Sequence, residues 1–383
     1  MDTPVIYLNN AATSWPKPPE VIEAVNESFR QPFNESGRST SQLPTDYLNT
    51  TREAVAGFFR VQDPDHIIFT ANATDSLNTL IHGFAMKTPE SFHVLMTDLD
   101  HNSVIRPLRT LEQAGRCSVS MVPSSGSHIN PESMESAIRK DTRLVVMAHG
   151  SNVLGSVQDI TGIGRYLQER NIFFMVDGAQ TAGLVPVDLR TAPVDAFVFT
   201  GHKYLFGFPG TGGFFIRDPT RISPSRQGGT GTFSKSPFQP MDLPEKFETG
   251  TPNYPGIISL GAGIRYLEKT GAMAIERKMR DLTAVFMNAF ADDENIIVYN
   301  KNPGLPVISL NIRDLPNEDA GFILREMYGV ICRTGLHCAP LIHDRINGGV
   351  GSLRLSPSYL NTHEECVTAA EAVRDVADRV HCS

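Results

Sequence analysis

Short, continuously apolar runs alternate with segments whose apolar residues recur at helical spacing. His93 to Thr97, Leu144 to Ala148, Ile172 to Val176, Ala196 to Thr200 and Gly213 to Ile216 read as strands without the in–out alternation of a half-exposed sheet. Such runs belong to strands covered on both faces, so a mostly parallel sheet flanked by helices is expected. Between them, residues 103–114 place Val104, Leu108 and Leu111 on one face, and 160–170 read as a further helix. A helix carrying Leu77, Leu80 and Ile81 follows Phe69 to Asp75.

Residues 218–255 are rich in Gly, Pro and Ser and show no sustained period, so a long ordered loop is expected there. Beyond 256 the pattern changes to helices over 257–269 and 277–291, strands near 296–300 and 306–312, and helices over 317–328 and 363–380. We expect an α/β fold with a large domain, 15–255, and a smaller α+β domain formed by 256–383 with 1–14.

Ligands of a parallel sheet bind beyond the C-terminal ends of its strands. His101, Asn152, Asp177, Gln180, His202 and Lys203 all fall just after expected strands. Lys203 lies 26 residues beyond Asp177, a spacing that suits two strands of one sheet ending at one crevice. A carboxylate and an amine facing each other there could hold pyridoxal phosphate, the lysine as imine partner and the aspartate on the pyridinium nitrogen. After exchange with substrate, Lys203 would be a free amine beside the α-proton, its pKa lowered by burial. His101 is either an ordinary histidine or, in a crevice, a ring that stacks on the cofactor and shuttles protons. Ala73-Thr74-Asp75 opens a helix, which makes it either a plain N-cap by Thr74 or Asp75 or an anion site. Thr200 and His202 could add two donors to that anion.

Cys338 sits in Arg333-Thr334-Gly335-Leu336-His337-Cys338-Ala339-Pro340, a loop by its Gly and Pro. His337 and Arg333 are expected to lower its thiol pKa and leave it a nucleophile. Cys117, Cys332 and Cys366 read as small buried hydrophobes, and Cys382 as a tail thiol. Arg354 is an isolated cation in an apolar strand, either paired structurally or reserved for a substrate carboxylate.

Length and charge narrow the classes further. A chain of 383 residues buries roughly 75% of its unfolded surface and supports a large core. The net charge of −8, with no basic stripe, argues against nucleic acid as a partner. No run approaches the roughly 20 apolar residues of a membrane span, and the N-terminus lacks a signal-peptide pattern. Five cysteines without metal-ligand spacing read as reduced thiols in a cytoplasmic protein. The sequons at Asn34, Asn49 and Asn72 therefore carry no weight.

With these residues in hand, the chain resembles the class V aminotransferase superfamily, and within it the cysteine desulfurases and selenocysteine lyases. Tyr7 to Thr13, His101-Asn102-Ser103, Ser151 to Gly155, Val176 to Gln180, Thr200 to Lys203, Phe247 to Asn253, Arg333 to Ala339 and Arg354-Leu355-Ser356 carry the resemblance, the last two in their group II form. It departs from the pattern at Asn9, where an aspartate is usual, at Asp75, where a glutamate is usual, and over Gly228 to Phe233.

The resemblance implies a fold-type-I pyridoxal phosphate enzyme and a homodimer, with the 247–253 segment, including Gly250 and Thr251, reaching the partner's site. It implies cofactor contacts from Ala73, Thr74, Asp75, His101, Asn152, Asp177, Gln180, Thr200 and His202, and substrate contacts from Asn10, Asn152 and Arg354. The expected reaction takes L-cysteine to L-alanine and leaves the sulfur on Cys338 as a persulfide, for transfer to an acceptor protein. A selenocysteine lyase, another C–S lyase and a class V aminotransferase are the alternatives, although a transaminase would not need Cys338.

Overall fold

The structure is a computed structural model, and it describes residues 5–30, 33 and 46–382; Met1 to Pro4, the sequon at Asn34 and Ser383 lie outside them. In chain order the elements are β1 (Ile6–Tyr7), α1 (Pro19–Ser28), α2 (Tyr47–Phe58), β2 (Ile67–Thr70), α3 (Ala73–Lys87), β3 (Phe92–Thr97), α4 (Asn102–Gln113) and β4 (Cys117–Val122). Then follow α5 (Pro131–Ala137), β5 (Thr142–Ala148), α6 (Ile160–Glu169), β6 (Phe173–Asp177), β7 (Ala196–Thr200) and β8 (Gly212–Ile216). The remainder is α7 (Tyr254–Thr270), α8 (Ala272–Ala289), β9 (Ile296–Val298), β10 (Ile308–Ile312), α9 (Asn317–Tyr328), β11 (Val330–Ile331), α10 (Pro340–Asn347), β12 (Leu353–Leu355) and α11 (His363–His381).

Seven strands form the main sheet in the order β2-β8-β7-β6-β5-β3-β4, parallel except that β8 runs against both neighbours. The apolar strands are buried on both faces, as their unbroken runs demand. Leu95, Val145, Met147, Phe174, Val176, Phe197 and Phe199 enter one core; Val94, Met96, Leu144, Val146, Phe173, Met175 and Val198 enter the other. Helices α3 and α4 cover the second face through Leu77, Leu80, Ile81, Val104 and Leu108. The first core also takes Val55 of α2, Ile163 of α6 and Ile257, Ile258 and Leu260 of α7. Helix α7, although beyond residue 255, thus packs on the main sheet.

A separate core joins α8, α9 and α11 to the antiparallel sheet β12-β10-β9, and takes in Ile6 and Leu8 from the N-terminus. The strand β1 pairs in parallel with β11. Up to the start of α7 at Tyr254, residues 218–253 contain only a short 3-10 turn, Pro219–Arg221, so the expected long loop is observed.

Two strands of the main sheet escape a reading by apolar runs, as do the two-residue strands β1 and β11. Strand β4 lies at the sheet edge and interleaves Ser118 and Ser120 with Val119 and Val122. Strand β2, four residues long, pairs only with β8. Among the described residues, no helix is long and apolar enough to cross a membrane.

Candidate active site

The C-terminal ends of β3, β5, β6 and β7 open on one cavity of about 540 Å³. Ala73, Thr74, His101, Asn152, Asp177, Gln180, Thr200, His202, Lys203, Cys338 and Arg354 all line it, together with Arg333. Asp177 is the last residue of β6 and Thr200 the last of β7, and their strands pair in parallel, so Asp177 and Lys203 reach one wall.

Burial sets the protonation there. Removal from water pulls the Lys203 ammonium down to about 8, against the attraction of Asp177 and with help from Arg354 and Arg333. Burial also raises the Asp177 carboxyl, opposed by the Ala179 amide that donates to Oδ1 (2.9 Å) and by Lys203. His101 caps α4, its Nδ1 accepting from the Ser103 amide (3.1 Å). Burial, aided by Lys203, Arg333, Arg106 and Arg354, lowers His101 to about 4, so the ring is neutral near pH 7 and carries its proton on Nε2. Asp100 laces the turn that carries it: one oxygen accepts from the Thr97 amide (2.6 Å) and the other from Ala148 (2.7 Å). Burial raises Asp100 to about 7.

Several polar atoms on this wall are buried without a partner. They are Thr200 Oγ1, His202 Nδ1 and Gln180 Oε1, and Arg354, on β12 beside the thiol segment, adds its Nε. Buried polar groups are nearly always hydrogen-bonded, so a cluster of orphans marks a ligand's place. Helix α3 starts at the same cavity with its first amides free, and its dipole favours an anion. Its cap is Asn72, whose side chain accepts from the Asp75 amide (3.0 Å), and not Thr74 or Asp75 as the bland reading had it. The side chain of Asp75 turns back to the Ala71 amide (3.0 Å) and to Arg226 (3.2 Å). With Gly250 and Thr251 it lines an adjoining pocket of about 200 Å³ rather than the main cavity.

The opposite wall is built differently. Gly335, His337 and Cys338 have φ of 92°, 50° and 58°. The left-handed conformation costs a non-glycine residue roughly 1–2 kcal/mol, so two in succession need support. It comes from the Asn102 amide to the Cys338 carbonyl (2.7 Å), Asn152 Nδ2 to the His337 carbonyl (2.7 Å), and the Gly335 amide to Asn317 Oδ1 (2.9 Å). Arg333 Nη2 lies 3.9 Å from Cys338 Sγ.

His337 does not do what its place beside Cys338 suggested. Its Nε2 lies 3.1 Å from the carbonyl and hydroxyl of Ser352, and burial, reinforced by Arg354, lowers it to about 2. A neutral, buried ring offers the thiol no positive charge, which leaves Arg333 as the cation at the sulfur. Burial raises the thiols read as small hydrophobes, Cys117 to about 11 and Cys332 and Cys366 to about 12.

Arg354 is buried, donates to the Asn152 carbonyl (2.9 Å) and to Asn9 Oδ1 (3.5 Å), and has no carboxylate partner among the described residues. Burial and Arg333 lower it only to about 10, so it stays charged. A buried, unneutralised guanidinium on a cavity wall calls for an anionic ligand.

Asn10, expected at the substrate, is not on the cavity wall. Its amide nitrogen donates to the Ser356 carbonyl (2.9 Å) and its oxygen accepts from the Trp15 amide (3.0 Å), which stitches the N-terminal segment to the segment after β12. Its neighbours Ala11 and Ala12 form the wall instead.

Residues 6–368 match the model of the family described as aminotransferase class-V. The chain belongs to that family. It is 32% identical to a probable cysteine desulfurase of Methanothermobacter thermautotrophicus, covering 97% of this chain and 94% of the relative. It is 30% identical to another of Pyrococcus abyssi, covering 99% and 96%. The fold is similar to the apo structure of cysteine desulfurase from Thermococcus onnurineus NA1, with a TM-score of 0.89, 28% identity and coverage of 98% and 95%.

The wall fits the pyridoxal phosphate that the resemblance implies. The amides at the start of α3, Thr200 Oγ1 and His202 Nδ1 suit a phosphate; Asp177 suits a ring nitrogen; Lys203 suits the aldehyde carbon. Arg333 was noted in the sequence only for its charge beside Cys338, yet it borders both the thiol and the cavity. Ser103 and Asp100, which fix the His101 ring and its turn, had a signal in the Asp100 to Ser103 motif. The donors Asn317 and Ser352, which hold the cysteine loop, had none.

Proposed function

We propose that the protein is a pyridoxal phosphate-dependent cysteine desulfurase that converts L-cysteine to L-alanine and leaves the sulfur on Cys338 as a persulfide. The observation that carries the reading is the Cys338 thiol on the same cavity as Lys203, Asp177 and Arg354. The similarity to desulfurases along nearly the whole chain supports it.

Pyridoxal phosphate would be held with its ring nitrogen at Asp177 and its aldehyde carbon at Lys203, and when bound it would supply the electron sink that makes the substrate α-proton removable. The chain's own groups do the rest. The amides of α3, Thr200 Oγ1 and His202 Nδ1 hold the phosphate. Arg354 takes the substrate carboxylate through the donors left free by Asn152 and Asn9. The Lys203 amine, its pKa near 8, receives the α-proton at Nζ. His101, neutral with its proton on Nε2, can pass a proton to and from the reacting groups.

Cys338, with Arg333 beside the sulfur, acts as the nucleophile on the substrate sulfur. The S–S bond forms as the β-carbon–sulfur bond breaks, and protons returned to the β- and α-carbons complete alanine. The persulfide then carries the sulfur to an acceptor protein. The reaction needs Cys338 as a free thiol, which suits a reducing, cytoplasmic setting. The pocket of Gly250 and Thr251 beside the cavity suits a homodimer in which that segment serves the partner's site.

The test is L-cysteine turnover by cofactor-loaded protein with a reductant present, wild type beside Cys338→Ala. Equimolar alanine and sulfide, lost in the variant, is the expected result. Pyruvate and ammonia would replace the reading by an eliminating lyase, and turnover restricted to selenocysteine by a selenocysteine lyase.

A further inference from the structure

Helix α10 starts two residues after Cys338, so whatever anchors this helix anchors the thiol loop. Its last turn carries Arg345, whose guanidinium makes three N–H hydrogen bonds and one ion pair on one spot of the main-sheet domain. Nε meets Asp98 Oδ2 at 2.7 Å, Nη1 donates to the Ser124 carbonyl at 2.8 Å, and Nη2 donates to Ser124 Oγ at 2.6 Å and to the Gly126 carbonyl at 2.7 Å.

Asp98 is itself built in. It is 1% exposed and also accepts from the amide and hydroxyl of Ser124 (3.0 Å each). It sits in the turn Asp98-Leu99-Asp100-His101 that follows β3 and delivers His101 to the cavity. The Asn102 amide, just past His101, donates to the Cys338 carbonyl. Two links therefore join the His101 turn to the thiol loop, one at the cysteine and one at the far end of its helix.

The loop they hold is strained. His337 and Cys338 both occupy the left-handed region, a state that persists only when its surroundings over-determine it. Arg345 touches neither the cavity nor the residues assigned to the cofactor.

We propose that Arg345 is a positioning residue: through Asp98 it latches α10 to the His101 turn and so fixes the reach of the Cys338 thiol across the cavity. The proposal rests on the reading of Cys338 as the sulfur-accepting nucleophile. A planar fork is what the site uses, because Asp98 and two carbonyls are engaged at once, so lysine is a poor substitute. A thiol displaced by an ångström loses its attack geometry while the cofactor side is untouched.

The experiment compares wild type, Arg345→Gln, Arg345→Lys, Asp98→Asn and the Arg345→Gln/Asp98→Asn pair. Each is loaded with pyridoxal phosphate and assayed with L-cysteine, and each is also alkylated with iodoacetamide in cofactor-free form. The expected result for Arg345→Gln is a kcat lowered roughly 10–100-fold with KM nearly unchanged, slower persulfide formation on Cys338 by mass spectrometry, and an intact cofactor absorbance band. The alkylation rate of Cys338 should change in the cofactor-free protein, Arg345→Lys should not rescue, and the double variant should be no worse than the worse single one.

Wild-type kcat and alkylation in Arg345→Gln would overturn the latch. So would loss of activity together with the cofactor band, which would make Arg345 a general structural residue. If that variant does not fold, Asp98→Asn, which keeps the side chain's shape, is read by the same criteria. Wild-type protein that makes no alanine from L-cysteine defeats the desulfurase reading, while the alkylation rates still decide the latch.

Discussion

The two walls of the cavity differ in how their polar atoms are used. On the strand-end wall, Thr200 Oγ1, His202 Nδ1 and Gln180 Oε1 are buried and unpartnered, and the first amides of α3 face the cavity. On the thiol wall, the carbonyls of His337 and Cys338 and the amide of Gly335 are all bonded, and the strained backbone is tied down. A wall of unspent polar atoms is made to hold a ligand. A wall whose backbone is tied down is made to hold one of its own atoms, the Cys338 sulfur, in a fixed place. The difference teaches that the two half-reactions ask opposite things of the protein: binding on one side, placement on the other.

Lys203→Ala should separate the walls most sharply. We expect turnover to fall by more than about 10³-fold, with loss of covalent cofactor attachment read from the visible band. Alkylation of Cys338 in the cofactor-free variant should change far less than turnover, since Lys203 bears on the thiol only through its charge; a comparably large change would mean that Lys203 also places the thiol.

Arg354→Lys comes next. The lysine keeps a charge but loses the fork, and the Asn152 carbonyl and Asn9 lose their donor. kcat/KM for L-cysteine should drop about 10–100-fold, carried mostly by KM, as steady-state kinetics would show. A pure kcat effect would instead give Arg354 a role in the chemical step.

The pH dependence of cofactor attachment tests chiefly the burial of Lys203 on the strand-end wall. Only the neutral amine of Lys203 attacks the cofactor's aldehyde, and burial places its pKa at about 8. In cofactor-free protein the attachment rate should rise with pH up to about 8 and level off above it. A rise that continues towards the ordinary lysine value of 10.5 would show that the amine is not desolvated. His101 and His202, both lowered to about 4 by burial, should add no step between pH 6 and 8.

The smallest effect sets the scale. Thr362 and Glu365 form a reciprocal cap at the start of α11, and neither lines the cavity. Thr362→Ala should lower unfolding free energy by about 1 kcal/mol in denaturant titration and leave kcat and cofactor binding unchanged.

The strand-end wall was legible because it is local. Asp177 and Lys203 announce themselves as polar residues that end apolar strands, and α9 over 317–328 follows from its period alone. The thiol wall was legible only in part. Cys338 stood out between Gly335 and Pro340, but the neighbour expected to activate it, His337, turns to Ser352 instead, because a left-handed backbone reverses where successive side chains point. Asn10 failed as a substrate ligand for a similar reason: its hydrogen bonds go to Ser356 and Trp15. Strand β4 was hidden by its serines, since an edge strand need not be apolar throughout.

The sequence by itself determined five of the seven strands of the main sheet and the polar residues at their ends, since hydrophobic period and strand-end polarity are written within a few residues. Only the tertiary structure decided which hydrogen bonds are spent and which are left open, how Asn72 rather than Thr74 caps α3, and how Arg345 meets Asp98. Those contacts join residues far apart in the chain, and no local pattern encodes a partner that folding alone brings near.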